Sequence, residues 1–346
     1  MESRQRNLLS IGYHGLIYQW LTWALMLTVG LAEAAFIDQF SGARALGMSG
    51  AISAVANRAD GVMVNPATLI NIQSRQLTAT TARLHTGLQD QSQLSQHLLG
   101  FGYNVKSQAQ KRTTAKECLG ILLKRFSATA VNRLLYSENY LVISGARDFH
   151  WRRKTTAQEG AGDKHLALGL SVKILNWDTA PTIGANETII EDLKGRTQLS
   201  FDIGGLFFPS PNVPIALSVQ NLNRPNIASQ RTVNGNLDSA SSPSYLPRIL
   251  TLGIGVLGQQ TIWDMDLVFR PKEVDVRVGL EYQAEDQKTT IRGGFRLENL
   301  AWGTNFTLGG SYRPTEQFTL DYAFIYPISG ISQTYGSHRF SLVYDY

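Results

Sequence analysis

The chain has 346 residues, of which 43% are hydrophobic, so it is long enough for one large β-barrel or two modest globular domains. Its net charge of +5 comes from basic residues interleaved with acidic ones, a pattern that does not indicate a nucleic-acid surface. The single cysteine, Cys118, excludes an intrachain disulfide, and the six histidines lack the spacing of metal ligands. We therefore predict no metal, no cofactor and no nucleic-acid partner.

The N-terminus has the layout of a secretory signal peptide. Two arginines precede a largely apolar stretch over residues 16–31, which ends in small residues at alternate positions. This pattern predicts cleavage between Ala34 and Ala35, so that residues 1–34 form the signal peptide. A signal anchor retained in the membrane is the alternative, but the apolar stretch is short for the ~20 residues of a spanning helix.

After a segment rich in small residues at positions 35–73, the chain alternates apolar and polar residues over segments of about ten residues, as membrane-spanning strands do. The alternation predicts fourteen strands near residues 76–84, 97–105, 118–126, 140–148, 165–175, 197–208, 214–222, 248–257, 261–269, 274–283, 288–298, 304–313, 316–326 and 338–346. An even number of strands lets an antiparallel sheet close with both ends on one side. The sequence therefore predicts an all-β fold, a transmembrane antiparallel β-barrel of residues 74–346.

A soluble secreted β-sandwich is the alternative fold, because its strands also alternate between core and water. The segments here reach the roughly 9 to 11 residues of a tilted membrane strand, whereas globular strands most often have about 5 or 6. The last strand also ends in an aromatic pattern that resembles the sorting signal of outer-membrane proteins. Its members are Phe340, Leu342, Tyr344 and Tyr346. We therefore predict assembly into the lipid of the outer membrane of a Gram-negative cell by the barrel assembly machinery.

Charged residues of the predicted strands fall on the polar face, which would line the lumen. They are Lys173, Asp264, Asp266, Arg270, Arg277, Glu281, Arg292, Arg296, Asp321 and Arg339. Asp264 and Asp266 share a strand face and could form an acid/base pair. Mutual pairing of opposite charges is the preferred interpretation, and the sequence has no Gly-x-Ser-x-Gly elbow. We therefore predict no catalytic residues, with an outer-membrane hydrolase as a remote alternative.

Residues 35–73 combine small residues with enough apolar surface to dock, which predicts a compact plug in or beneath the barrel. The residues that define this plug motif are Gly42, Arg44, Gly47, Gly50, Asn65 and Pro66. The glycines permit close backbone approach, and the proline disfavours helix at the residue before it. A disordered leader is the alternative.

Several runs of residues carry a resemblance to a known family. They are Gly42-Ala43-Arg44-Ala45-Leu46-Gly47-Met48-Ser49-Gly50-Ala51, Asn65-Pro66-Ala67, Val219-Gln220-Asn221-Leu222, Val278-Gly279-Leu280-Glu281-Tyr282, Leu320-Asp321-Tyr322-Ala323-Phe324 and His338-Arg339-Phe340-Ser341-Leu342. Together they resemble the PorV/PorQ family and, more distantly, the FadL-type transporters of hydrophobic compounds. The chain departs from the pattern at Asn57-Arg58, where an acidic pair is typical, and at Thr68, where glycine is typical.

The resemblance leaves two non-enzymatic functions open. A PorV-like barrel would be a docking or shuttle component of type IX-like protein secretion, with secreted protein cargo as its partner. A FadL-like barrel would be a passive conduit for hydrophobic small molecules. The charged lumen favours the first hypothesis, whereas glycine pairs such as Gly204-Gly205, Gly293-Gly294 and Gly309-Gly310 could open a hydrophobic route through the wall for the second.

Overall fold

The computed structural model describes residues 42–88, 90–105, 116–131, 133–150, 164–183, 189–234, 236–240, 242–299, 304–327 and 334–346. The predicted signal peptide, its cleavage site at Ala34 and Ala35, and residues 35–41 of the predicted plug lie outside these ranges. Within them, none of the helices is long and apolar enough to cross a membrane.

Fourteen long strands close into one antiparallel barrel. With all strands numbered along the chain, they are β1 (Arg75–Leu84), β2 (Gln93–Asn104), β3 (Glu117–Ala130), β4 (Arg133–His150), β5 (His165–Thr179), β8 (Gln198–Ser210), β9 (Val213–Gln220), β12 (Ile249–Leu257), β13 (Thr261–Arg270), β14 (Glu273–Gln283), β15 (Thr289–Leu297), β16 (Thr304–Tyr312), β17 (Phe318–Pro327) and β18 (Ser337–Asp345). The barrel closes where β1 pairs with β18, for example Ala79 opposite Leu342. The predicted fold class is confirmed.

Four short strands extend the sheet beyond the barrel wall: β6 (Thr182–Ile183), β7 (Ile189–Gly195), β10 (Ser229–Val233) and β11 (Asn236–Ala240). They belong to the long connections after β5 and β9, and β10 pairs with both β7 and β11. The alternation predicted no strands in these connections, which lie between the predicted strands 165–175 and 197–208 and between 214–222 and 248–257. Two to seven residues are too few for alternation to be read as a strand.

The strands β3 and β4 run well beyond the predicted 118–126 and 140–148. Leu119 and Ile121, near the start of β3, lie on the same face of the strand as Ser127 and Thr129 in its additional length, where the residues are no longer apolar. The alternation of apolar and polar residues therefore stops before the strand does, which is why the sequence pattern gave shorter bounds.

Side chains alternate between the two faces of the barrel wall along each strand, with polar groups facing the lumen and apolar groups facing outward. Leu119, Ile291, Leu308 and Phe340 each expose more than half of their surface, and apolar residues of this kind encircle the barrel. A continuous apolar belt of this extent would be unfavourable in water, and it matches the hydrocarbon region of a bilayer.

The start of β1 and the end of β18 meet at one end of the barrel, which we call the terminal end; the opposite end is the loop end. The backbones of Arg75 and Tyr346 exchange two hydrogen bonds there, of 3.2 and 2.9 Å. Exposed aromatic side chains form a ring around the terminal end: Phe149, Trp263, Tyr282, Tyr312, Phe318 and Tyr346. Such a girdle is typical of a membrane interface, because aromatic rings are favourable at headgroup level.

Residues 42–72, which we call the plug, fold inside the barrel and are buried almost throughout. They form a short helix, α1 (Ala43–Gly47), and two 3-10 turns, η1 (Ala59–Met63) and η2 (Pro66–Asn71). The contact with the wall is close: a Cβ on Gly294 would lie 2.6 Å from the carbonyl carbon of Met48. Glycine is therefore required where this part of the plug meets β15. The described residues of this segment are therefore folded and packed against the wall.

Candidate functional site: a plugged lumen and a groove in the wall

Asp264 and Asp266 on β13 hold residues 52–54 of the plug through their backbone N–H groups. The Oδ2 atom of Asp266 accepts hydrogen bonds of 3.1 Å from the backbone N–H groups of both Ile52 and Ser53, and the Ser53 hydroxyl donates to Oδ1. Asp264 Oδ2 accepts a hydrogen bond of 3.1 Å from the Ala54 N–H. The candidate acid/base pair is thus buried beneath the plug, where its carboxylates satisfy donors that strands and helices leave unpaired.

We expect Asp266→Ala to loosen the plug while the barrel still assembles. The substitution leaves three buried donors without their acceptor, at about 1–3 kcal/mol for each unsatisfied group. Single-channel recordings in planar bilayers should show higher conductance, and a protease should cleave near residue 53. Asp286→Ala, in an exposed turn, is the control; equal conductance of the two variants would contradict this role of Asp266.

A second contact between plug and wall is a buried network of five charged side chains. Glu281 on β14 accepts hydrogen bonds from Arg44 of the plug, at 2.9 Å from Nε, and from Arg292 of β15. Asp321 on β17 accepts from Arg292, at 3.2 Å from Nη1, and from Arg58 of the plug, at 3.0 Å from Nη2. Two carboxylates thus bind three guanidinium groups, two of which belong to the plug. Charge-assisted hydrogen bonds of this kind fix the plug in one position.

In the sequence, Arg58 differs from the PorV/PorQ pattern, in which an acidic pair is typical at this place. In the structure Arg58 forms a bidentate ion pair with Asp321, and its side chain is 11% exposed. The sequence did contain a signal for this pair. The plug segment has few charged residues, one of which is Arg58, and Asp321 lies on the predicted lumen face, so a basic plug residue could be expected to pair with an acidic residue of the wall. Strand registers alone do not say which lumen position a plug residue reaches.

The other predicted lumen residues lie in separate groups. Arg270, Arg277 and Arg296 surround Asp275, with nitrogen to Oδ2 distances of 3.0, 3.3 and 3.0 Å. Lys173 pairs with Asp202 at 2.8 Å. Arg339 is among the largest fully buried side chains of the described residues. The ten residues therefore do not converge on one site, and their described partners are largely other charges and the plug.

The four residues of the predicted assembly signal all lie on β18 or directly after it. Phe340, Leu342 and Tyr346 are strongly exposed on the outer surface, and Tyr344 is partly exposed beside Phe318, with ring centroids 4.6 Å apart. They therefore form part of the apolar belt.

An apolar groove of about 860 Å³ lies in the outer surface of the wall, across β3, β4, β5, β8 and β9. Glycines create it: Gly145 and Gly205 stand at outward positions, so no side chain fills the space between Leu119, Leu170 and Leu217. A Cβ on Gly205 would meet no atom closer than 3.8 Å, so the position is open on its outer side. Its volume lies within the range of small-ligand pockets.

The plug lies directly behind this groove. Gly169 and Gly204 face the lumen, and a Cβ on either glycine would collide with residues 65–67 of the plug. Asn65 caps this plug turn by accepting a hydrogen bond of 3.0 Å from the Ala67 N–H, and its Nδ2 donates to the Gly205 carbonyl at 3.2 Å. At this point only the bare backbone of β5 and β8 separates the groove from the plug.

Comparison with known proteins supports the fold but does not assign the chain to a family. No protein-family model matches the sequence, and no curated protein matches it. A FadL homologue from Pseudomonas aeruginosa is similar in structure with a TM-score of 0.57 at 11% identity, covering 88% of this chain and 98% of the homologue. The monoaromatic hydrocarbon channel CymD gives a TM-score of 0.55 at 14% identity, covering 89% and 97%.

The toluene transporter TbuX of Ralstonia pickettii gives a TM-score of 0.52 at 14% identity, covering 90% of this chain and 99% of TbuX. At these identities the matches show a shared barrel fold. They agree with the wider FadL-type resemblance of the sequence, whereas none of the three supports the narrower PorV/PorQ resemblance.

Proposed function

We propose that this chain is an outer-membrane channel through which hydrophobic small molecules pass without an energy source. The observation that carries the proposal is the apolar groove at Gly145 and Gly205, which opens on the lipid side and is separated from the plug by bare backbone. An apolar molecule is favoured in such a groove because its transfer from water removes apolar surface from solvent. The structural neighbours described as hydrocarbon or toluene carriers support the same class of cargo.

The charged lumen was the argument against a conduit, and the structure gives those charges another role. Asp264, Asp266, Glu281 and Asp321 bind the plug, so they do not line an open aqueous path. The preference for a PorV-like docking component of protein secretion loses its main support with that argument. We therefore place transport of hydrophobic molecules before secretion docking, and export by cleavage of residues 1–34 is part of the proposal.

The route in this proposal leads from the loop end into the barrel and leaves through the wall beside Gly204 and Gly205. Residues 65–67 must move away from β5 and β8 for the route to open. An exit on the lipid side keeps the molecule in contact with apolar surface. It also lets the plug seal the terminal end against water-soluble compounds.

The proposal predicts that filling the groove slows uptake. The chain is expressed in the outer membrane of a Gram-negative strain without its own FadL-type transporter, and uptake of radiolabelled toluene and oleate is measured. We expect Gly205→Trp to reduce the uptake several-fold, because the new side chain occupies the groove. Gly293→Trp is the matched control: Gly293 also faces outward, where a Cβ would meet no atom closer than 3.9 Å, but it lies away from the groove.

Two outcomes would contradict the proposal. Uptake that does not depend on the expressed chain would show that it is not a channel for these molecules. Recovery of a secreted protein in stoichiometric amount with the purified barrel, without effect of Gly205→Trp, would restore the docking hypothesis.

A further inference from the structure

We infer that Asp148, His150 and His165 form a binding site for a divalent metal ion of the zinc class. The three residues lie at the terminal end of β4 and β5, and one potential ligand atom from each lies within 4.8 Å of the other two. Two imidazoles and one carboxylate are a donor set that suits Zn²⁺ and neighbouring transition metals. The site is independent of the groove and of the proposed transport.

Strand pairing, and not sequence spacing, brings these ligands together. In the register of β4 and β5, His150 lies directly opposite His165, and Asp148 lies opposite Ala167. Positions two residues apart on a strand share a face, so Asp148 stands beside both imidazoles. We predicted no metal site from the sequence because the six histidines lack the spacing of metal ligands. The structure brings two of them together across a strand pair.

The electrostatics of Asp148 favour a cation. The residue is 3% exposed, and its two carboxylate oxygens lie 2.8 Å from Nδ1 of His165 and 3.0 Å from Nε2 of His150. In the described part of the chain, these imidazoles are the only basic groups within ion-pair distance of the carboxylate. A buried carboxylate requires compensating charge, and a divalent ion bound by these three residues supplies it.

The spread of the ligand atoms can hold a coordinated ion. Metal–ligand bonds of about 2.0–2.2 Å in a tetrahedral arrangement separate neighbouring ligand atoms by roughly 3.3–3.6 Å, and one ligand atom from each of the three residues lies within 4.8 Å of the other two. The ring of His165 is stacked between His150, with centroids 4.9 Å apart, and Phe208, with centroids 4.1 Å apart. A rotation about the Cβ–Cγ bonds turns the imidazole nitrogens toward a shared ion, and a water molecule completes the coordination.

Zinc titration of the purified barrel tests this inference. The mature chain is prepared without a histidine tag, treated with a chelator and titrated with Zn²⁺ by calorimetry. We expect one ion per barrel. Each of Asp148→Asn, His150→Gln and His165→Gln should weaken the affinity by roughly tenfold or more. With Co²⁺ in place of Zn²⁺, the visible absorption of a four-coordinate ion should appear in the unsubstituted barrel and be lost in the variants.

His97→Gln and His338→Gln are the matched controls, because these histidines hydrogen-bond to Thr81 and Tyr322 elsewhere on the barrel. Heat-modifiable gel mobility checks that every variant is folded. If a variant does not fold, a second measurement on the unsubstituted barrel takes its place. In that measurement, Zn²⁺ should protect His150 and His165 from modification by diethylpyrocarbonate. Absence of zinc binding, equal affinity in the variants, equal loss in the controls, or absence of that protection would each overturn the site.

Discussion

Glu281→Ala is expected to destabilise the barrel and release the plug. The substitution leaves the guanidinium groups of Arg44 and Arg292 buried without the carboxylate that binds both of them. Removing one partner of a buried ion pair costs about 3–5 kcal/mol, because the remaining charge cannot return to water. Urea unfolding in phospholipid vesicles, followed by tryptophan fluorescence, should show a lower midpoint. The plug should become sensitive to protease before the barrel unfolds.

Glu285→Ala is the matched control, since Glu285 is the same residue type in an exposed turn just beyond the same strand. It should leave the unfolding midpoint unchanged. The unfolding midpoint of Glu281→Gln should lie between those of Glu281→Ala and Glu285→Ala, because an amide still accepts a hydrogen bond but carries no charge. If Glu281→Ala and Glu285→Ala unfold at the same urea concentration, the network does not hold the plug.

The wall of the barrel could be predicted from the sequence because lipid imposes a strict rule on it. Every second residue of a strand must be apolar where the strand meets hydrocarbon, so residues such as Leu342 and Leu308 mark strands directly. The predicted strands are shorter than the observed ones where the residues no longer follow that rule, as at Ser127 in β3. The extension formed by β7 and β10 was missed because strands of five to seven residues are too short for alternation to be read.

The contacts inside the barrel could not be predicted from the sequence in the same way. The alternation predicts that Asp266 faces the lumen, but only the folded plug determines that its partners are the amides of Ile52 and Ser53. The sequence pattern therefore predicted a lumen lined by charges that pair with one another, whereas several of these carboxylates bind the plug. The pairing of His150 with His165 likewise follows from the register of β4 and β5, which a single sequence does not specify.

A further consequence of the lipid-facing wall concerns β18, where we expect Phe340→Arg and Leu342→Arg together to prevent assembly. Both side chains are strongly exposed in the apolar belt, on the strand whose pairing with β1 closes the barrel. An arginine on the lipid face costs ~2–4 kcal/mol at the bilayer midplane, so the two changes together approach the whole stability of an ordinary domain. The measurement is heat-modifiable gel mobility of the outer-membrane fraction.

The matched control for this pair is Phe340→Leu with Leu342→Met, which keeps both positions apolar and should assemble normally. A substitution on another strand distinguishes between two explanations of a failure to assemble. If the arginines act through lipid contact, Leu308→Arg on β16, which is 66% exposed and away from the closing seam, should also impair assembly. If only the β18 changes impair assembly, the aromatic terminal pattern acts as a signal for the assembly machinery. Normal assembly of the double arginine variant would contradict the lipid-facing assignment of β18.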